Sequence, residues 1–160
     1  MHAYRFLNFA PVVQQPDDAL RNGAKTINWY IPPIGKGSGG HLNLFRFMQH
    51  VGTQGFTSRV VIVEDDGEQS VAKTQAKIRS WFGIDNLEVY FISEVVPSAA
   101  FSIATSWQTA YSVKNIEAST HKCYFVQDFE PWFYPAGTEY ALAEQTYRFG
   151  FHGFTAGSWL

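Results

Sequence analysis

Asp128 and Glu130 follow an apolar run and precede Pro131-Trp132-Phe133-Tyr134-Pro135, an aromatic loop stiffened by prolines. Two carboxylates at a strand end can hold the hydroxyls of an acceptor or take a proton as a base. Capping and loop fixing is the plainer role open to the same pair. A second group lies upstream, where the apolar Thr26-Ile27-Asn28-Trp29-Tyr30-Ile31 runs into Pro32-Pro33-Ile34-Gly35-Lys36-Gly37-Ser38-Gly39-Gly40 and then His41. A strand that feeds a glycine-rich turn and a helix N-terminus gathers unpaired backbone N–H groups. With no Cβ atoms in the way, an anionic or polyhydroxylated ligand can approach the main chain. His41 is expected to open the helix, where the macrodipole favours a neutral imidazole able to exchange hydrogen bonds with a hydroxyl. A surface histidine at a helix start is the alternative.

The usual nucleotide signatures do not fit this turn. It lacks the Gly-Lys-Ser/Thr that closes a phosphate-cradling P-loop. Gly35, Gly37 and Gly40 match G-x-G-x-x-G in spacing, but no acidic residue clearly ends the second strand about 20 residues on except Glu64. The turn can equally be a flexible connection that lets the helix pack closely. A serine nucleophile is excluded because the chain has no G-x-S-x-G elbow. His50, His121 and His152 show no ligand spacing with one another or with Cys123, so no metal site is expected.

These residues need a scaffold, and the hydrophobic pattern supplies one. Residues 1–24 show no sustained period and read as an irregular N-terminal arm, with an ordered domain over 25–160. Strands are expected at 26–31, 57–63, 87–92, 100–105, 122–127 and 153–156, and helices near 41–53, 68–82, 107–116 and 138–149. Leu44, Phe45, Met48 and Val51 form one helical stripe. Val71, Ile78, Trp81 and Phe82 form another, with Lys73, Lys77 and Arg79 outward. Val60-Val61-Ile62-Val63 and Val89-Tyr90-Phe91-Ile92 are unbroken apolar runs, as in parallel strands covered on both faces. The fold class is therefore α/β: a Rossmann-like, mainly parallel sheet with helices on both faces. Ligands bind such sheets beyond the C-terminal strand ends. That selects the Gly35–Gly40 loop with His41, Glu64-Asp65-Asp66, Ser93-Glu94, Thr105-Ser106 and Gln127-Asp128-Phe129-Glu130, which should converge on one edge.

The 160 residues suit one domain and carry a net charge of −2, which gives no footprint for nucleic acid or an anionic membrane. A single cysteine, Cys123, sits in an apolar run and allows no internal disulfide. With no signal peptide or long apolar span, a cytoplasmic location is expected, and peripheral membrane association of a longer parent stays open. Aromatic residues make up 17% and crowd towards the C-terminus, where they must serve as core or interface, or stack on sugar rings.

The stretch Lys122-Cys123-Tyr124-Phe125-Val126-Gln127-Asp128-Phe129-Glu130-Pro131-Trp132-Phe133-Tyr134-Pro135, continuing through Gly137–Gly150 and Thr155–Leu160, resembles bacterial rhamnosyltransferases of the WsaF type. These are family 4 retaining glycosyltransferases. Asn28-Trp29-Tyr30-Ile31-Pro32-Pro33 and Gly39-Gly40-His41 match the same group, so the resemblance covers about 26–160. It implies the N-terminal half of a GT-B fold, in which two Rossmann-like domains face across a cleft. The N-terminal domain holds the acceptor glycan and the C-terminal domain holds a nucleotide-sugar, here expected to be dTDP-rhamnose, without a metal or other cofactor. Gly39 and Gly40 carry over as the loop that approaches the donor.

From these residues the expected function is the acceptor-side domain of a retaining glycosyltransferase that adds rhamnose to a bacterial surface glycan. His41 and Asp128 are the expected catalytic residues, and Glu130, Trp132 and Tyr134 the expected acceptor contacts. The donor-binding half would follow Leu160, so the chain alone is expected to be inactive while its parent is a hexosyltransferase. A non-catalytic carbohydrate-binding or scaffold module, and a small nucleotide-binding oxidoreductase, are the rival readings.

Overall fold

The central strand is buried along its whole length, and the other elements are arranged around it. In the computed structural model, residues 14–15, 25–64, 70–116, 121–155, 157–158 and 160 are described. In chain order the elements are β1 (Gln14–Gln15), β2 (Thr26–Ile31), α1 (Gly39–Thr53), β3 (Thr57–Ile62), α2 (Val71–Phe82), β4 (Glu88–Phe91) and β5 (Val96–Pro97). They continue with β6 (Phe101–Ala104), α3 (Trp107–Lys114), β7 (His121–Val126), a 3-10 turn at Glu130–Phe133, α4 (Thr138–Thr146) and β8 (His152–Thr155).

Six strands form one sheet in the order β4-β3-β2-β6-β7-β8, and every pairing is parallel. Trp29 lies opposite Val60 on one side and Ile103 on the other. Successive side chains alternate between the two faces. Ile27, Trp29, Ile31, Val60, Ile62, Ile103 and Phe125 pack on one face against Leu44, Phe45 and Met48 of α1 and Ile78 of α2. Tyr30, Val61, Ala104, Tyr124 and Val126 pack on the other against Ala110 and Val113 of α3. Both faces are covered, which is why the strands read as continuous apolar runs. The expected Rossmann-like α/β architecture is the observed one.

The first three helices begin where a serine replaces the missing backbone partner, whereas α4 follows Gly137 with no side-chain cap. The Oγ atoms of Ser38, Ser70 and Ser106 accept hydrogen bonds from His41 N, Lys73 N and Thr109 N. At the third helix Thr109 reciprocates, since its Oγ1 accepts from Ser106 N at 3.0 Å. These caps shift the boundaries read from hydrophobic periodicity alone: α1 starts at Gly39 instead of His41, and α2 at Val71 instead of 68. The final helix stops at Thr146, short of the expected 149.

The pattern did not suggest the small parallel pair of β1 and β5, in which Gln14 meets Val96 and Gln15 meets Pro97. Two-residue strands have no detectable period, and the polar Gln-Gln carries no strand signal. The rest of the expected arm, 1–13 and 16–24, lies outside the described residues.

Gly83 ends α2 in the left-handed region at φ 68°, with its N–H on Arg79 O at 3.0 Å and nothing within 4 Å of where a Cβ would stand. Gly83→Ala meets a conformational cost and no steric one. The expected loss is about 1 kcal/mol in chemical denaturation, with the sheet unchanged.

Candidate functional site

The strand order reverses direction between β2 and β6. Beyond β2 the chain runs outward through β3 to β4, and beyond β6 it runs the other way through β7 to β8. Loops leaving the C-terminal ends of β2 and β6 therefore part, and a crevice opens at this switch point. Pro32-Pro33 denies the end of β2 two backbone donors and turns the chain out of the sheet. Thr105 closes the floor: its Oγ1 donates to Tyr30 O at 2.9 Å and its N–H donates to Thr109 Oγ1 at 2.9 Å.

A cavity of about 140 Å³ occupies this place, lined by Pro32, Ser38, Gly40, His41, Leu44, Thr105 and Gln127. Of the five strand-end loops expected to converge, those after β2, β6 and β7 meet there, while the lining has no described residue from the loops after β3 and β4. Gly40 packs so closely on Gln127 that a Cβ would stand 3.4 Å from Gln127 Nε2. Closed small-molecule pockets commonly enclose about 300–1,000 Å³, so this space takes only part of a substrate.

His41 is the third residue of α1, not its opening residue. Its backbone N–H donates to Ser38 Oγ at 3.3 Å, and its ring lies stacked near Phe45 with Phe82 beside it. Both ring nitrogens are shielded from solvent and lack a well-formed hydrogen bond. Burial pulls the imidazole below its ordinary value, and the nearby Pro32 carbonyl opposes this less strongly. At neutral pH the ring is uncharged, with one donor and one acceptor nitrogen.

The carboxylates occupy a neighbouring network outside the cavity lining. Glu130 receives Trp107 N–H on Oε2 at 3.1 Å and Tyr124 O–H on Oε1 at 2.7 Å. It thus ties the first turn of α3, where negative charge is favoured, to β7. Tyr147 O–H donates to Asp128 O at 3.1 Å, and its oxygen accepts Glu130 N–H at 3.2 Å. Burial is the main cause of its phenol being pushed up to about 12. Asp128 Oδ1 accepts Phe129 N–H at 2.7 Å, and Tyr134 Oη accepts Trp107 Nε1–H at 3.0 Å. Trp132 is different: its ring is 69% exposed, edge-on to Phe129.

The structure brings Gly40, His41 and Gln127 together. It places Asp128, Glu130 and Tyr134 in the adjoining network and Trp132 on the surface. Gly39 leads into α1 with open space around its Cα. Glu64, two residues beyond β3, sits at φ 72°, a strained value for a side-chain-bearing residue; Asp65 and Asp66 lie outside the described residues. Glu94 Oε2 accepts Phe91 N–H at 2.9 Å and fixes its own turn. Among the described residues no three His, Cys, Asp or Glu side chains are grouped to hold a metal. No helix among them is long and apolar enough to cross a membrane.

A family model described as WsaF, N-terminal domain, matches residues 33–153. The chain belongs to that family. It is also 30% identical over 134 residues to the O-antigen biosynthesis protein RfbC of Myxococcus xanthus, a match that covers 81% of this chain and 10% of that relative. The chain spans about a tenth of the length of the curated relative it matches. The WsaF match runs from the glycine-rich turn into β8, so it includes the aromatic loop and every cavity-lining residue but Pro32.

In this WsaF-family domain, Ser38, Thr105 and Gln127 lie at strand-end positions the sequence selected but were given no role there, and Pro32 and Leu44 are lining residues it did not select. Position was the available signal, because Thr105 and Gln127 each stand one place beyond a central strand.

Burial holds the Glu130 carboxyl above the usual carboxylate range; hydrogen bonds from Tyr124 and Trp107 oppose this, and the Asp128 charge adds to it. The folded chain therefore keeps this proton to a higher pH than the unfolded chain. The contribution of Glu130 to stability is greatest below the ordinary carboxylate value and falls as pH rises through the higher folded value. Glu130→Gln keeps one acceptor of two and is expected to lose about 1–3 kcal/mol at neutral pH. It should also remove this downward slope from the stability profile, measured by denaturation between pH 4 and 8.

Proposed function

We propose that this domain is the acceptor-side half of a retaining glycosyltransferase that builds a bacterial surface glycan, with rhamnose as the transferred sugar. The observation that carries the reading is the switch-point cavity built from Gly40, His41, Thr105 and Gln127 in a WsaF-family domain. The relative named for O-antigen biosynthesis supports the glycan context. A nucleotide-sugar, dTDP-rhamnose, is held mainly by a second domain of the parent and meets this one at Gly39 and Gly40. No metal takes part.

His41 contributes a neutral hydrogen-bonding ring at the reacting centre, and Asp128 borders it from the strand end as the candidate base. Trp132 offers the flat apolar face on which an acceptor sugar stacks. Glu130 and Tyr134 complete the acceptor side by fixing the loop that presents it, through Trp107 and Tyr124. Since the loop is already ordered, stacking on Trp132 pays little conformational entropy.

Titration of the 160-residue chain with rhamnose-containing oligosaccharides, followed by NMR, is the test. Saturable shifts are expected at Trp132 and along Asp128–Tyr134, and none there would refute the acceptor assignment. Trp132→Ala should weaken binding about tenfold. Its melting temperature should stay close to wild type, because the ring is 69% exposed.

A further inference from the structure

Three of the solvent-shielded side-chain atoms without a hydrogen-bond partner lie on two residues of one cavity: Nδ1 and Nε2 of His41, and Oε1 of Gln127. Buried polar atoms are nearly always paired, because leaving one unpaired forfeits its hydration for nothing. Asn28 Oδ1 and Thr74 Oγ1 are also unpaired, but neither residue lines the cavity. The orphaned atoms come from separate parts of the fold, α1 and the residue after β7, and the missing Cβ of Gly40 lets the Gln127 amide pack against α1 beside His41. An arrangement that leaves three such atoms at one small opening is suited to a ligand that pairs them.

The ligand's chemistry follows from the lining. Pro32, Ser38, Gly40, His41, Leu44, Thr105 and Gln127 include no Lys, Arg, Asp or Glu. The His41 backbone N–H at the start of α1 is already taken by Ser38 Oγ, which weakens the helix terminus as an anion site. A carboxamide and a neutral imidazole each offer both a donor and an acceptor, and so does a hydroxyl. A phosphate offers acceptors only and would leave Gln127 Oε1 and one imidazole nitrogen unpaired. Leu44 and Pro32 supply an apolar wall for the C–H face of a ring. The volume of about 140 Å³ admits part of one sugar ring and is too small to enclose a nucleoside diphosphate.

We infer that this cavity is a neutral hydroxyl-reading subsite, in which Gln127 and His41 pair with adjacent hydroxyls of a pyranose, and that Gln127 determines which pyranose is accepted. This rests on the reading of the domain as one that handles sugars. On ligand entry the Gln127 amide turns from Gly40 into the cavity. Thr105, whose hydroxyl is committed to Tyr30 O, holds the floor without competing for the ligand. A site that reads hydroxyls discriminates strongly against analogues lacking them, since its own polar atoms then stay unpaired.

The test uses the full chain, labelled at histidine ring carbons and glutamine side-chain amides. Its probes are methyl α-L-rhamnopyranoside, the 2-deoxy and 3-deoxy forms of that glycoside, and inorganic pyrophosphate. Expected are saturable shifts of the His41 ring and Gln127 amide with the parent glycoside, about tenfold weaker binding of at least one deoxy form, and no shift with pyrophosphate. Gln127→Met, close in size but unable to pair, should lose about tenfold in affinity. Gly40→Ala approaches the same group from the other side and should weaken binding by pressing on the amide.

Shifts at these two residues with pyrophosphate and not with glycoside would overturn the inference, and so would unchanged affinity in both variants. Oligosaccharide shifts confined to Trp132 and its loop would refute the subsite and leave the acceptor reading standing. Shifts confined to His41 and Gln127 would do the reverse. No shift anywhere would refute both.

Discussion

Hydrogen-bond pairing of β2 on both sides, and burial of all six of its residues, is the constraint on which the other features depend. A strand enclosed in this way can contact solvent only at its ends. All the strands of the main sheet run parallel, so one end of the sheet gathers every strand-to-helix connection. Sequence order then decides where a crevice opens: β3 continues on one side of β2, while β6 returns on the other side after passing through β4 and β5. Gly40, His41, Thr105 and Gln127 meet at that reversal because the loops after β2, β6 and β7 all leave the same edge of the sheet beside it.

A second constraint is the satisfaction of buried charge. Glu130 lies half-buried between α3 and β7, and an unpaired carboxylate there would be costly. Trp107 N–H and Tyr124 O–H offset part of that cost, and the same two bonds anchor the 3-10 turn that begins at Glu130. Tyr147 braces the turn from α4 by bonding the backbone of Asp128 and Glu130. Residue types that attract a catalytic interpretation in the sequence are thus engaged in shaping the aromatic loop. The outcome of that work is the exposed ring of Trp132, held in place by groups that are themselves buried.

Apolar runs such as Val60–Val63 identified the strands, and amphipathic stripes such as Leu44-Phe45-Met48 identified the helices, because both patterns repeat over several residues. The resemblance to WsaF-type proteins was legible in the long Gln127–Pro135 motif, and the family match includes that stretch. Single-residue relations were not legible. Nothing in Ser38-Gly39-Gly40-His41 distinguishes a helix beginning at Gly39 from one beginning at His41 until the Ser38 hydroxyl is seen on His41 N–H. Gln127 resembles any strand-end glutamine until Gly40 is seen against its amide. The pairing of β1 with β5 joins residues some eighty positions apart and leaves no periodic trace.

The cavity and the exposed tryptophan differ in kind, and the difference bears on how a glycan would be recognised. The cavity is small and hydroxyl-matched, which favours discrimination, whereas an exposed indole face accepts many sugar rings. Asp128–Pro131 joins them in sequence, and the Glu130 network makes that connection rigid. Two weak contacts held at a fixed separation act as one stronger site for a ligand that spans them, because the second contact forms at a high effective concentration. Rigidity therefore contributes to affinity without adding a contact, and loosening the Glu130 network would weaken binding even where both contact surfaces stay intact.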